Sequence, residues 1–358
     1  AVLNDLEISN TLAGSIGTVN VAAYLLGTMA VAFATTRYRL LAVMRVGFVF
    51  STVGLITAAF APGPLVLGIA MFLTGLGGAC IWIPAPVIAA GALPAERRGM
   101  AIGLVGSGIG LGVVFSGQLS AFIRSNFGDD SWRMVYGIEA AIAVATLAAI
   151  LLFIGHEQDK PAPRKAGLTG FSILRRMRGW LPLTMAYTSF GFMYLFVIAF
   201  LTTRLEEDSG WTSARASLAF TLMGVAMVFG GPTFIAIGRR IGPRFALAIA
   251  FFLWAVLVLL VLPGWFAVSI GSAMGLGLLF GAVPSVITLY IVENTSMADY
   301  GPSFSAATLA FGVAQMLAPQ VGGLIADLTE SFTLVFILSM CFAITGLVGA
   351  LQLPAREA

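Results

Sequence analysis

The sequence predicts an all-α polytopic membrane protein. Of its 358 residues, 59% are hydrophobic and 10% are charged, whereas a soluble domain carries about 25% charged residues. The apolar residues form long uncharged blocks, such as residues 247–262, and about 20 apolar residues in a helix cross a hydrocarbon core of ~30 Å. The alternating pattern of a membrane β-barrel is absent, and helices satisfy their own backbone hydrogen bonds in lipid.

Eleven blocks are long enough to span a membrane, and one polar segment divides them. Residues 155–179 form the longest polar stretch and separate five predicted helices from six. We therefore expect an N-terminal half at 1–154, a cytoplasmic linker at 155–179 and a C-terminal half at 180–358. The expected spans are 12–34, 41–60, 64–91, 98–123, 132–154, 180–203, 213–237, 245–263, 265–292, 302–326 and 332–352.

Basic residues predict how these helices are oriented. With the linker placed inside the cell, fifteen of the 19 Lys and Arg residues fall in inside loops, as the positive-inside rule requires. Eleven spans with an inside C-terminus leave the N-terminus outside, yet residues 1–11 are a short polar approach without a signal-peptide pattern. The simplest solution is one further helix upstream, so we expect this chain to hold helices 2–12 of twelve.

The two halves carry an internal repeat. Residues 75–84 and 275–284 share Gly-Leu-Gly and a proline at an offset of 200. Further downstream, an offset of 202 matches Gly99, Gly110 and Gln118 with Gly301, Gly312 and Gln320. Two six-helix halves related as parallel repeats are the plan of a large class of secondary transporters.

Several segments resemble signatures of the major facilitator superfamily. Residues 239–244, Arg-Arg-Ile-Gly-Pro-Arg, resemble its D-R-x-G-R-K loop between helices 8 and 9, with Arg239 where the acid belongs. Similar matches to an inside loop with the fifth helix, to a G-W-R helix start and to a G-P-x-x-G-G bend lie at 93–112, 131–133 and 318–323. The resemblance covers the whole chain, and residues 191–201 and 314–332 resemble the superfamily's uncharacterised YbfB-like branch.

The resemblance implies the superfamily fold of two pseudo-symmetric six-helix bundles, with the first helix absent from this chain. It implies a multi-pass secondary transporter in a cytoplasmic (inner) membrane, expected to be bacterial and monomeric, which moves a small organic solute by rocker-switch alternating access. A non-transporting membrane sensor or scaffold with a transporter-derived fold remains the alternative. We expect no cofactor, nucleic-acid partner or enzymatic activity, because the sequence contains no evident metal cluster, nucleophile–base pair or phosphate-binding loop.

Polar and aromatic residues inside the spans are the candidates for a solute site, because such polar groups usually face the protein interior. The resemblance implies a cavity lined by helices 1, 4, 7 and 10. Asn20 and Tyr24 share one helix face, as do Tyr187 and Tyr194, and packing between helices is the competing interpretation throughout. The candidate cavity residues are Asn20, Tyr24, Trp82, Gln118, Tyr187, Tyr194, Tyr290, Gln315 and Gln320.

Glu139 is the candidate for proton coupling. It lies seven residues into its helix, so ~10 Å below the interface marked by Trp132. A carboxyl group at that depth must be protonated, paired or hydrated, and a group that changes its protonation can carry a proton. A structural acid bonded to backbone or to Arg133 is the competing interpretation.

Charged residues at the inside ends of the helices suggest a gate. We expect them to form ion pairs between the halves that hold one conformation closed, through Arg97, Arg98, Arg239, Arg240 and Glu293. The two cysteines, Cys80 and Cys341, fall inside apolar blocks and are expected to be free thiols.

Overall fold

The structure is a computed structural model that describes residues 6, 10–94, 97–128, 131–154 and 170–354. Within these residues the secondary structure is helical, which confirms the predicted all-α class. The helices are α1 (Asn10–Ala34), α2 (Leu40–Ala59), α3 (Pro64–Trp82), α4 (Ala85–Gly91), α5 (Arg98–Phe127), α6 (Trp132–Phe153), α7 (Phe171–Leu174), α8 (Trp180–Glu207), α9 (Ser213–Ile241), α10 (Pro243–Val261), α11 (Phe266–Asn294), α12 (Met297–Thr329) and α13 (Thr333–Gln352).

Eleven segments of the described chain are long and apolar enough to cross a membrane. One of them, Pro64–Gly91, combines α3 and α4, while α7 is too short to span. The predicted number of spans is therefore confirmed, and the boundaries agree to within a few residues. The largest difference is α12, which begins five residues before the predicted 302 because Ser296 and Asp299 cap it. The Asp299 N–H donates to the Ser296 hydroxyl, which in turn donates to the Asp299 carboxylate.

The chain folds into two compact units. Unit 1 comprises Ala1–Ile88, Phe115–Ile173 and Ser296–Leu309, and unit 2 comprises Ala89–Val114, Leu174–Thr295 and Ala310–Ala358. Each unit thus contains a stretch from the other half of the sequence. The division expected at 1–154, 155–179 and 180–358 stays a prediction, and residues 155–169 of the linker lie outside the described residues.

Close glycine contacts fix the register of the internal repeat. A Cβ placed on Gly75 of α3 would lie 2.2 Å from the Asn20 carbonyl oxygen of α1. In unit 2 a Cβ on Gly277 of α11 would lie 2.0 Å from the Met223 carbonyl oxygen of α9. These equivalent contacts align α3 with α11 at a sequence offset of 202, because Gly75 corresponds to Gly277. That is the offset found further downstream, and not the offset of 200 expected for this segment. Glycines recur two residues apart in both segments, so an alignment shifted by two residues still pairs glycine with glycine.

Arginines secure the ends of adjacent helices. Arg45 near the start of α2 donates to the Ile154 carbonyl just after α6 (2.7 Å), and Arg133 at the start of α6 donates to the Ala61 carbonyl just after α2 (2.9 and 3.1 Å). In unit 2, the buried Arg204 of α8 donates to the Leu262 carbonyl after α10 (2.6 Å). The last carbonyls of a helix lack intrahelical donors, and in a membrane each unsatisfied group is costly.

Candidate functional site

Five aromatic side chains from three helices of unit 2 pack together and form a candidate site. This aromatic cluster consists of Tyr187, Phe190 and Tyr194 of α8, Phe280 of α11 and Phe311 of α12. Tyr187 stacks on Phe311 with 4.5 Å between ring centroids, and Phe190 stacks on Tyr194 at 4.9 Å. Phe280 meets Tyr194 edge-on at 4.9 Å. The spacing of three, four and seven residues places the α8 members on one helix face.

One polar pair lies within this aromatic cluster. The Gln315 amide, one turn beyond Phe311 on α12, donates to the Tyr194 hydroxyl. The structure thus brings together three of the predicted site residues, Tyr187, Tyr194 and Gln315. Tyr187 is fully buried and Tyr194 nearly so, so a ligand could reach the rings only after a rearrangement of α8 or α12.

Three phenylalanines of the cluster were missed by sequence reasoning. Phe190, Phe280 and Phe311 look the same in an apolar span as phenylalanines that face lipid. The available signal was the spacing of Phe190, which falls between Tyr187 and Tyr194 on the same face. Phe280 and Phe311 lie on other helices, and no pattern within their own segments distinguishes them.

Glu139 has a specific partner in unit 1. Its carboxylate accepts a hydrogen bond from the Ser116 hydroxyl of α5 at 2.6 Å, and the residue is only partly buried. Arg133, the competing partner suggested by the sequence, directs two donors to the Ala61 carbonyl. The structure therefore joins this acid of α6 to a neutral hydroxyl group of α5.

The candidate residues of α1 and α3 join the two helices. The Asn20 amide donates to the Met71 carbonyl (2.8 Å) and to the Thr74 hydroxyl (3.0 Å), which ties α1 to α3. The Tyr24 ring lies against Gly78, 3.6 Å from a Cβ placed there. Trp82 is the last residue of α3 and is partly exposed. The packing interpretation accounts for both amide protons of Asn20, and contact of these residues with a solute stays a prediction.

The remaining candidates are not members of the aromatic cluster. Gln118 and Gln320, the matched pair of the repeat, both have exposed side chains. Tyr290 lies near the end of α11, where its hydroxyl donates to the Arg178 carbonyl at 3.0 Å. Tyr290 is thus engaged by the backbone that precedes α8, and not by Tyr187 or Tyr194.

The predicted gate residues all lie in unit 2. Arg97, Arg98 and Arg240 are exposed. The aliphatic part of Arg239 covers Gly99, because a Cβ placed on Gly99 would lie 2.9 Å from Arg239 Cδ. Glu293 lies in the last turn of α11. The structure therefore places Arg239 next to the start of α5, while ion pairing among these residues stays a prediction.

Glycines line the surface by which the first half of α5 contacts α9 and α11. A Cβ on Gly103 would lie 2.9 Å from Pro232 Cα, and one on Gly110 would lie 2.6 Å from the Val228 nitrogen. The Ser107 hydroxyl donates to the Val228 carbonyl between them. On the opposite side of α5, Gly108 has no neighbouring atom within 4 Å. The contact is thus backbone against backbone, with little side-chain interdigitation.

Metal and thiol chemistry find no support in the described part of the chain. Those residues contain no group of three His, Cys, Asp or Glu side chains that could hold a metal ion. Cys80 is buried, Cys341 is exposed, and both are free thiols.

Comparison with known proteins identifies the family. A protein-family model described as "Uncharacterised MFS-type transporter YbfB" matches residues 1–351. This chain belongs to that family of the major facilitator superfamily. The family's description is that of a transporter and not of an enzyme, as the sequence predicted. With eleven candidate spans, the chain is a multi-pass membrane protein.

The YbfB-type chain is also similar to transporters outside its own family. It is 22% identical over 331 residues to monocarboxylate transporter 6 of Homo sapiens, covering 84% of this chain and 64% of that protein. It is 23% identical over 273 residues to the MFS-type efflux pump MFS1 of Arthroderma benhamiae, covering 70% of this chain and 47% of that protein. The chain therefore spans just under two thirds of the first relative's length and about half of the second's.

Among solved structures, the YbfB-type chain is similar to the Escherichia coli fucose:proton symporter FucP (N162A). The TM-score is 0.78 at 16% identity, and the match covers 98% of this chain and 92% of that chain. A second FucP structure, described as in the outward conformation, matches with the same TM-score of 0.78 at 14% identity. At such low identity the likeness establishes the fold alone, which is the superfamily fold expected from the sequence.

Proposed function

We propose that this protein is a secondary transporter that moves a small organic solute across a cytoplasmic (inner) membrane by rocker-switch alternating access. The observation that carries the proposal is the glycine-lined contact of α5 with α9 and α11. Alternating access needs packed helices that can slide without unlocking side chains, and small residues at helix contacts permit such shear. A transporter of this class is energised by a solute or ion gradient.

The aromatic cluster supports an organic solute. Aromatic faces bind apolar and cationic groups, and the Gln315–Tyr194 pair offers one polar contact among rings. The relatives differ in cargo, since their names refer to monocarboxylates, to fucose with protons and to efflux. The substrate class is therefore argued from the rings of this chain and from no single relative.

The Ser116–Glu139 pair supports coupling to protons. A carboxyl group ~10 Å inside a helix that crosses a membrane is expensive to keep charged. The hydroxyl of Ser116 can donate to the charged acid and can accept from the protonated one. Glu139 is accordingly the residue that we assign to proton uptake and release during the cycle.

Solute counterflow in proteoliposomes tests the transport mechanism. The probes are radiolabelled lactate, fucose and an aromatic organic cation, which represent an organic anion, a neutral sugar and a positively charged solute. Gly103→Leu is expected to slow counterflow by about fivefold to a hundredfold, because overpacking of a close contact costs about 1–3 kcal/mol. Gly108→Leu, on the open side of the same helix, is the matched control and should retain wild-type counterflow.

Two outcomes would contradict the transport mechanism. Equal counterflow in the Gly103→Leu and Gly108→Leu variants would show that the glycine contact does not slide. Saturable binding of a probe without flux by the wild type would favour the alternative of a membrane sensor, for which the altered signature loop around Arg239 is the supporting observation.

Replacement of the acid tests proton coupling separately. In the same vesicles, Glu139→Gln is expected to abolish uptake driven by an inward proton gradient while it leaves counterflow of the solute intact, because glutamine keeps the shape and loses the titratable proton. Glu207→Gln, at the exposed end of α8, is the control. Gradient-driven uptake by Glu139→Gln at the wild-type rate would remove Glu139 from the coupling step.

A further inference from the structure

A basic cavity lies at one end of unit 2, away from the aromatic cluster. Its volume is about 590 Å³, and its lining includes Arg178, Gly242, Arg244, Tyr290, Glu293 and Asn294. These residues come from the segment before α8, the turn between α9 and α10, and the last turns of α11. Such a volume falls in the range of about 300–1,000 Å³ that is typical of ligand sites.

Two guanidinium groups give the cavity its charge. Arg178 and Arg244 both line it, opposed by the single carboxylate of Glu293. Arginine binds phosphate through a planar fork of N–H donors that matches two of its oxygens. Two such groups in one cavity therefore suit an anion.

The N-terminus of α10 adds to the positive electrostatic potential in the cavity. Gly242 precedes the helix with φ 88°, and Pro243 occupies the first helical position without a side-chain cap. The positive φ favours glycine at this tight turn, which lets α10 begin directly after α9 and brings Arg244 into its first turn. The uncapped N–H groups and the positive end of the helix dipole attract anions, most of all phosphate.

The position of the cavity indicates where the anion comes from. The end of α9, the start of α10 and the end of α11 all meet there, together with Pro354 just after α13. The ends of helices that cross a bilayer lie at the level of the lipid headgroups. Basic pockets between transmembrane helices at this level suit anionic phospholipid headgroups.

We propose that this cavity binds the phosphate group of an anionic ligand, supplied by a phospholipid headgroup or by a soluble phosphate. Arg244 and Arg178 hold the phosphate oxygens, and the first N–H groups of α10 complete the site. The bound anion joins the α9–α10 turn to the end of α11, so that it stabilises this end of unit 2. The proposal is independent of the transported solute, because the cavity and the aromatic cluster share no residue.

Binding to the full chain in detergent micelles tests the site. Thermal stability and native mass spectrometry are measured with added phosphatidylglycerol, phosphatidylcholine, glycerol 1-phosphate and inorganic phosphate. Phosphatidylglycerol is expected to raise Tm and to remain bound, with binding about tenfold weaker in Arg244→Gln, since loss of a charge-assisted contact removes one strong donor. Arg176→Gln removes an equal, exposed charge two residues from Arg178 and should bind like the wild type.

The four ligands separate the two sources of phosphate. Stabilisation by phosphatidylglycerol alone assigns the site to a lipid, and equal stabilisation by glycerol 1-phosphate or inorganic phosphate assigns it to a soluble anion. If Arg244→Gln does not fold, the exposed Arg178→Gln replaces it with the same expectation. The proposal is overturned if no phosphate ligand stabilises the wild type, or if Arg176→Gln weakens binding as much as the cavity variants do.

Discussion

The segment α3–α4 in the first half of the sequence and helix α11 in the second half occupy equivalent places in the internal repeat, yet only one of them is continuous. α3 ends at Trp82, residues 83–84 form a turn, and α4 begins at Ala85. α11 runs unbroken from Phe266 to Asn294, although it contains Pro284 in its interior. Both segments are rich in glycine and contain proline, so composition alone does not explain the difference.

The number of prolines explains part of the difference. Pro84 and Pro86 remove two backbone donors two residues apart, whereas in α11 only Pro284 removes a donor. The Ser285 and Thr288 hydroxyls of α11 bond to the Gly281 and Pro284 carbonyls, both at 2.8 Å, and leave the Phe280 carbonyl as the one that loses its donor.

Burial explains the rest. In α11, 78% of the most apolar window is buried, compared with 33% in the span Pro64–Gly91. A helix that is packed on most sides is held straight by its neighbours, whereas a half-exposed helix can bend at its prolines. The comparison indicates that α11 is a rigid element against α9, while the turn after Trp82 is a point at which unit 1 can bend.

The largest effect is expected where α11 is most tightly enclosed. Gly277→Ala would place a Cβ 2.0 Å from the Met223 carbonyl oxygen. We expect a loss of about 2–4 kcal/mol in the free energy of unfolding, or no folded protein, because backbone on both sides must move. Thermal unfolding in detergent and size-exclusion profiles measure the effect.

Gly271→Ala is the matched control in the same helix. No atom lies within 4 Å of a Cβ at this position, so alanine should stabilise α11 by up to about 1 kcal/mol through its helix propensity. A similar loss of stability in both variants would mean that α11 is not held against α9 by its glycine face.

The sequence predicts the helices well because their signal is local. The apolar block expected at 265–292 appears as Phe266–Asn294, since about 20 apolar residues suffice to define a span. The effect of a proline on its helix is not determined by the local sequence. Whether Pro284 or Pro84 interrupts its helix depends on burial by other helices, which no pattern within the segment encodes. The misassigned repeat register has a similar cause, because glycines two residues apart leave alternative alignments nearly equal.

The candidate site shows the same division between local and tertiary information. Tyr187 and Tyr194 were predicted together because seven residues return to one helix face. Gln315 was predicted as a polar residue in a span, but its bond to Tyr194 joins α8 to α12 and could not be read from either helix. Tyr290 has the same residue type and a similar setting in sequence, and it bonds instead to the Arg178 carbonyl.

A smaller effect is expected from restoring the missing donor after Trp82. Pro86→Ala supplies an N–H that can bond to the Trp82 carbonyl and extend α3 into α4. Because proline at an existing break costs little, we expect a change in overall stability within about 1 kcal/mol. Local opening should become rarer, so that amide exchange of the peptide covering 80–90 slows by about tenfold, which corresponds to ~1.4 kcal/mol of local stability. Hydrogen–deuterium exchange with mass spectrometry measures this.

Pro284→Ala is the counterpart of that change in α11. The helix is already continuous and enclosed there, so exchange of the peptide covering 280–290 should not change. If Pro86→Ala leaves exchange unaltered, the turn is held by the surrounding helices and not by its prolines. If both variants slow exchange equally, α11 opens as readily as α3–α4, and burial does not distinguish the two repeats.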